Sequence, residues 1–425
     1  MTMAIPSSPI SRIPVEVLQD IFELSAVSKE DELCGGIFSS GCPLSSPNST
    51  TRRLSHTSHY FREVSLSYGR LWSSFAIRPE DLHTPRGVQV LEELGNRRNG
   101  AQLYLALLET PQDRFTVFDL RILASLLQSC SGLLLDVHSV TLANMERSIG
   151  TRENRFLHTL CLWTNDEIQY SLYRFSVFRN CTNLRTYLGR FTPPMHKAIP
   201  PFAFAGLTSV VGVDGEWGGG GHIEQHLALF HRSPALVKAD LTCSEFMATP
   251  VPAHTEPFTH ELLQELRLKP WRNTDTLDSL LQVVTFPALK RLAVEGVFGM
   301  ESVWELLQRS GHSLQSLEIF KRNQYTEKDL NSFLATARKS MHVKVKFNAW
   351  EEARRFMEML LVDVQSSPLY VTDSPKTWTI WSRMAYWRKE ADEVELQKAK
   401  ELLLALESVY AHVEFKLENW TMSGC

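Results

Sequence analysis

The segment GVDGEWGGGGHIEQH, Gly212 to His226, gathers the residue types in this chain that come nearest to chemistry. A glycine run can cradle phosphate, because a loop without side chains lets backbone N–H groups converge on an anion. Here no Gly-Lys-Ser or Gly-Lys-Thr follows the run, and its spacing fits no nucleotide fingerprint. His222 and His226 would share one helical face, with Glu224 between them. A zinc peptidase needs H-E-x-x-H, so Glu224 stands in the wrong place for a general base, and no third ligand is patterned nearby. Gly-x-Ser-x-Gly is absent, and no Cys/His signature marks a nucleophile. The segment reads as a loop between structural units. The chain reads as a non-enzyme, with no cofactor and no metal expected.

Composition narrows the partners. The 425 residues are 43% hydrophobic and 22% charged, which is ordinary for a globular chain. A net charge of −4 leaves no basic footprint for nucleic acid. The cysteines at 34, 42, 130, 161, 181, 243 and 425 are scattered, odd in number and free of C-x-x-C. Reduced thiols in the cytoplasm and/or nucleus are the expectation. The start MTMAIPSSPISRIP lacks a basic then apolar signal pattern, and no apolar run is long enough for a membrane span. Asn48, Asn180 and Asn419 begin N-x-S/T triplets, which carry little weight in a chain read as non-secreted.

These residues need elements to place them. Residues 1–12 read as disordered. IPVEVLQDIFELSAV reads as a helix with Pro14 in its first turn and Val17, Leu18, Ile21 and Phe22 along one stripe. Residues 25–52, rich in Ser, Gly, Pro and Asn, read as a long loop. A second helix is predicted from about 53 to 67, and RLWSSFAI then turns into a strand. From about residue 86 to 347 the texture is helix, polar turn, strand, repeated. Residues 348–425 read as a cap with an amphipathic helix.

The alternation has a motif. The pattern L-x-x-L-x-L, with apolar substitutes, starts at Leu157, Leu236, Leu263, Leu289 and Leu314, and in weaker form at Leu184 and Leu207. Successive starts lie 23 to 29 residues apart. One strand and one return helix with two turns use about that length. No such unit buries its own apolar face, so neighbours must stack. Ser233-Pro234 and Phe286-Pro287 stop the preceding helices. The fold class expected is therefore α/β: a short helical module, then a curved leucine-rich-repeat solenoid of parallel strands with outer helices at 81–347, then a helical cap.

Residues 13–80 are the helical module, and its sequence resembles the F-box, in the variant common in expanded families of mushroom-forming fungi. IPVEVLQDIF follows that family's L-P-x-E-[IL]-L-x-x-I-F, with Ile13 in place of Leu. LSHTSHYFREVSLSYGRLWSSFAI follows its trailing half, with departures at Thr57, Ser58, His59, Phe61 and Gly69. The resemblance implies docking onto the Skp-type adaptor of a cullin–RING (SCF-type) ubiquitin ligase. It also implies that the repeats hold the protein to be ubiquitylated. Adaptor-binding residues are then Ile13, Pro14, Val17, Leu18, Ile21, Phe22, Leu54, Phe61, Val64, Leu66 and Trp72. The alternative is a leucine-rich-repeat interaction scaffold without a ligase. Independently of the family, a helical module this small has little core and gains stability by docking.

Period-2 alternation turns the leucines inward and sends the residues between them to the opposite, concave face. Those residues include Thr159, Cys161, Trp163, Lys238, Asp240, Glu265, Arg267, Lys269, Arg291, Ala293, Glu295, Ser316, Glu318 and Phe320. The substrate-binding expectation rests on Trp163, Lys238, Asp240, Glu265, Arg267, Lys269, Arg291, Glu295, Glu318 and Phe320. Aromatic and Arg side chains are the anchors that interfaces favour.

Overall fold

The computed structural model describes residues 13–26, 42–43, 50–149, 154–164, 178, 181–189, 204–212, 223–243, 257–270, 277–311, 314–321, 325–337, 340–347, 350–366, 377–382, 397–398, 401–402, 404–406 and 414–419. The expected disordered start, most of the 25–52 loop, residues 213–222 of the glycine-rich segment and most of 383–413 lie outside them. The chain divides into two compact units, Met1–Leu207 and Thr208–Cys425.

The first unit begins α1 (Val15–Ala26), β1 (Cys42–Pro43), α2 (Thr50–Thr57), α3 (His59–Ser67), a 3-10 turn (Gly69–Trp72) and β2 (Ser74–Ile77). It continues α4 (Pro79–Leu82), α5 (Pro85–Arg97), β3 (Leu103–Leu108), α6 (Val117–Ser129), β4 (Cys130–Val137), α7 (Ser139–Ile149), β5 (Thr159–Thr164) and β6 (Thr186–Gly189). The predicted second helix is two helices. Ser58 breaks it with an extended backbone, and its hydroxyl accepts from Phe61 N at 3.1 Å, a capping geometry. Helix α6 is specified locally. Thr116 and Asp119 exchange side-chain and backbone bonds at its start, and Leu120, Leu123 and Leu127 line its buried stripe.

All strand pairs of this unit are parallel, and they follow chain order from β1 to β6. Each connection therefore returns to start a strand beside the one just finished. That is how stacked repeats are wired. Among the described strands of this unit the order does not reverse.

The second unit runs β7 (Ser209–Gly212), α8 (Ile223–Arg232), β8 (Lys238–Cys243), β9 (Phe258–Thr259), β10 (Glu265–Pro270), α9 (Asp278–Val283), β11 (Val284–Thr285) and β12 (Arg291–Gly296). It ends α10 (Met300–Ser310), β13 (Leu314–Lys321), α11 (Glu327–Ala337), β14 (Ser340–Phe347), α12 (Trp350–Ser366), β15 (Thr377–Ser382) and β16 (Glu414–Asn419). β9 and β11 form a separate parallel pair. The others pair in parallel in chain order. Helix α10 closes on Gly311, whose φ of 76° supplies the left-handed residue that ends many helices.

The leucine motif locates its strands. Leu157, Leu184, Leu207, Leu236, Leu263, Leu289 and Leu314 are all buried. In all but the last copy the strand begins two residues later. A backbone rung links corresponding turns: Gln264 N donates to Val237 O, Lys290 N to Gln264 O and Gln315 N to Lys290 O, each at 2.8 Å. The parallel pairing extends past the boundaries read from sequence. β1 and β2 precede residue 81, and β15 and β16 lie in the segment expected as a helical cap, beyond the expected helix, which is α12. Among the described residues, no helix is long and apolar enough to cross a membrane.

Candidate protein-interaction surfaces

The N-terminal module is a small helical knot with a sealed centre. Leu18, Phe22, Val64, Leu71 and Trp72 form its core, and Ile13, Leu54, Tyr60, Phe61, Leu66, Tyr68 and Leu94 pack against it. Phe22 meets Phe61 edge-on, with ring centroids 5.0 Å apart. The Trp72 indole donates to Ser65 O at 2.7 Å, so its polar end is satisfied inside. The Tyr60 hydroxyl donates to Ile13 O at 3.3 Å and ties the start of α1 to α3. Burying side chains such as Leu18 and Phe22 contributes about 1.5–3 kcal/mol each.

This corrects the docking stripe read from sequence. Leu18 and Phe22 are 2% and 1% exposed, and Val64 and Trp72 are buried with them. These four hold the module together. Leu54, Phe61, Leu66 and Ile13 are half-buried around them. What α1 and the residue before it present outward is Pro14, Val17 and Ile21, at i, i+3 and i+7, with Val15 beside them. Val17 is 45% exposed and Ile21 44%, and the exposed Glu16 and Asp20 flank them. An apolar strip with an acidic border is the composition of an interface core and its rim.

Helix α5 supports the module, which the sequence pattern did not reveal. Leu94 packs on the core, and the Arg97 guanidinium lies 5.0 Å from the centroid of the Trp72 ring. Gly69 is what permits this approach. A Cβ there would meet Arg98 O at 2.2 Å. The proline frequent at this position of the resembled family would put bulk against the end of α5.

The second surface is the outward side of the strands in the second unit. β12 alternates buried and partly exposed residues along its length. Its register carries three rows. One runs Lys238, Glu265, Arg291, Ser316, His342; the next runs Asp240, Arg267, Ala293, Glu318, Lys344. The third contains Glu295, Phe320 and Lys346, in which the Lys346 ammonium lies 5.9 Å from the Phe320 ring. Charges pair across strands. Glu265 sits 3.8 Å from Lys238 and 3.0 Å from Arg291. Asp240 sits 3.5 Å from Lys269, and Glu318 3.5 Å from Lys346. Half-exposed pairs of this kind add at most about 1 kcal/mol each, so they set register and field more than stability.

Several expected members of the face are covered rather than exposed. Phe320 keeps its place in the outward row but is only 6% exposed, with the Lys346 ammonium over its ring. In the first unit Thr159 is buried and Cys161 is fully so. Trp163 is half-buried, its indole N–H 2.8 Å from the Cys161 sulfur. Lys238, Asp240, Glu265, Arg267, Lys269, Arg291, Glu295 and Glu318 are exposed or half-exposed, as the alternation requires.

The titratable groups of the interior do structural work. Glu109 is buried and accepts from Phe115 N at 2.6 Å, Thr141 Oγ1 at 2.5 Å and His138 N at 2.6 Å, with His138 Nδ1 at 3.0 Å. One carboxylate thus fastens the end of β3 to the start of α7. Asp329 does the same between α10 and α11, accepting from Met300 N, Thr326 N, Thr326 Oγ1 and Lys321 Nζ. Burial pushes its carboxyl up, but the bonds from Lys321, Thr326 and Met300 outweigh this and hold it below the ordinary aspartate range. Glu109 was not legible as a motif, because His138 and Thr141 lie in another turn, and at Asp329 the Thr326 cap is local while Met300 lies in the preceding helix. Burial, aided by their mutual proximity in the case of Cys130, pushes the thiols of Cys130 and Cys181 up to about 12, so neither is a thiolate at neutral pH. His226 is buried on α8, and among the described residues no three His, Cys, Asp or Glu side chains gather as metal ligands.

A scan against models of known protein families finds no match, and no curated protein matches the chain.

Proposed function

We propose that the chain is the substrate-recognition subunit of a cullin–RING (SCF-type) ubiquitin ligase. Residues 13–80 would dock a Skp-type adaptor, and through it a cullin. The leucine-rich-repeat-like array would hold the target protein. The work is recruitment: the ubiquitin chemistry resides on other subunits, and rate comes from raising local concentration. The observation that carries the reading is the outward strip of Pro14, Val17 and Ile21 along α1 and the residue before it, beside a core that its own module completes. The charged row that faces solvent in the second unit supports a binding role for the array.

The test is co-expression with a Skp-type adaptor and pull-down of the complex. Val17→Asp with Ile21→Asp removes the adaptor while the chain keeps its circular dichroism and melting profile. Full retention of the adaptor by that variant removes the docking role of α1. A second reading, an interaction scaffold without a ligase, is favoured by the sealing of Leu18 and Phe22 inside the module. It requires that the wild-type chain bring down no adaptor at all.

A further inference from the structure

From β8 to β14 the outward rows of the second unit are not electrically balanced. Asp240 is engaged by Lys269, Glu265 by Lys238 and Arg291, and Glu318 by Lys346. Among the described residues this leaves Arg267 and Lys344 exposed and outside any ion pair, in the same register row. Between them stand Ala293, which contributes only a methyl group, and Glu318, already committed to Lys346. From β8 to β14 the cations Lys238, Arg267, Lys269, Arg291, Lys344 and Lys346 outnumber the carboxylates Asp240, Glu265, Glu295 and Glu318, whereas the chain as a whole carries −4. A local field of opposite sign to the net charge selects the partner that approaches it.

We infer that this face takes an extended, carboxylate-rich segment of a protein, laid across β10 to β14, with one acidic side chain on Arg267 and another on Lys344. This rests on the reading that the outward side of the array is the recognition surface. The chemistry is the one the face already uses internally, since its own carboxylates meet its own cations at 3.0 to 3.8 Å. The spacing sets the pattern. Arg267 and Lys344 are three strand steps apart, about 14 Å at the usual interstrand distance. An extended segment covers that distance in about four residues, and residues four apart point to the same side. The segment therefore carries Asp or Glu at i and i+4. Arg267 offers a planar fork that suits a carboxylate, while Lys344 acts as a point charge.

The experiment uses the full chain and a fluorescein-labelled peptide with two Glu residues four apart in a Ser/Gly background. Fluorescence anisotropy is compared with the Gln and Lys counterparts of the same peptide. Binding to the Glu peptide, weakened at least tenfold by Arg267→Glu with Lys344→Glu, supports the inference. So does a similar loss with the Gln peptide and on raising salt. Equal binding of the Lys peptide, indifference to the double reversal, or preference for a phosphoserine peptide overturns it. Ala293→Trp separates this from the underlying reading, because it blocks the face without changing charge. If Ala293→Trp loses the proteins that co-purify with wild type and the charge reversal does not, the face stands and the acidic partner falls. If neither variant changes them, the face itself falls.

Discussion

The strands β5 and β12 carry the same inward apolar pattern and opposite outward rows. In β5 the row through Cys161 runs Ala76, Ala106, Leu134, Cys161, Leu188, and all but Leu134 are buried. In β12 the matching row runs Asp240, Arg267, Ala293, Glu318, Lys344, and it faces solvent. A shared motif thus fixes where the strand lies and which side faces the helices. It leaves the other side free to diverge, toward a second buried layer in one unit and a charged wall in the other. The proposed recognition surface lies on the side the motif does not constrain.

The largest expected effect breaks this contrast directly. Cys161→Asp places an unpaired carboxylate in a buried row and destabilises the first unit by about 4 kcal/mol or more. Ala293→Asp, on the outward row, costs less than about 1 kcal/mol. Urea titrations of both variants give the difference, and equal losses would erase the distinction between the two units. Next in size is Asp329→Ala. It strands the buried Lys321 ammonium and costs about 3 kcal/mol or more. Because the folded carboxyl titrates below its unfolded value, its contribution is complete above about pH 4 and fades as pH falls through the folded value. Wild type therefore loses this increment in acid and the variant does not, so their melting temperatures converge at low pH. The smallest effect is that of Glu265→Gln. Its two cross-strand pairs are half-exposed, so stability shifts by less than about 1 kcal/mol in thermal melts, and less still in high salt.

Much of the architecture could be read from the leucines. Leu157, Leu184 and Leu207 mark β5, β6 and β7 even where the motif is weak, because the first leucine of each copy must be buried whatever follows it. β3 and β4, LYLALL and CSGLLLDV, are rich in leucine and fit the same stack without the motif's spacing. Alternation sorted the outward row of the second unit correctly and failed at Cys161 and Phe320. Period 2 reports which side a residue takes and is silent on whether that side is covered. On α1 a four-residue stripe was visible. Only packing against Phe61, Val64 and Trp72 decides that Leu18 and Phe22 turn in while Val17 and Ile21 turn out. Glu109 was invisible for a related reason, since its meaning lies in partners such as His138, in another turn of the array.

In the proposed complex the outer strip of α1 receives a separate subunit. Hydrogen–deuterium exchange of the full chain, with and without a purified Skp-type adaptor, tests it most directly. Slowed exchange over Val15–Ala26 on addition of the adaptor, with α10 unchanged, is the expected result. Identical exchange across Val15–Ala26 at saturating adaptor contradicts it.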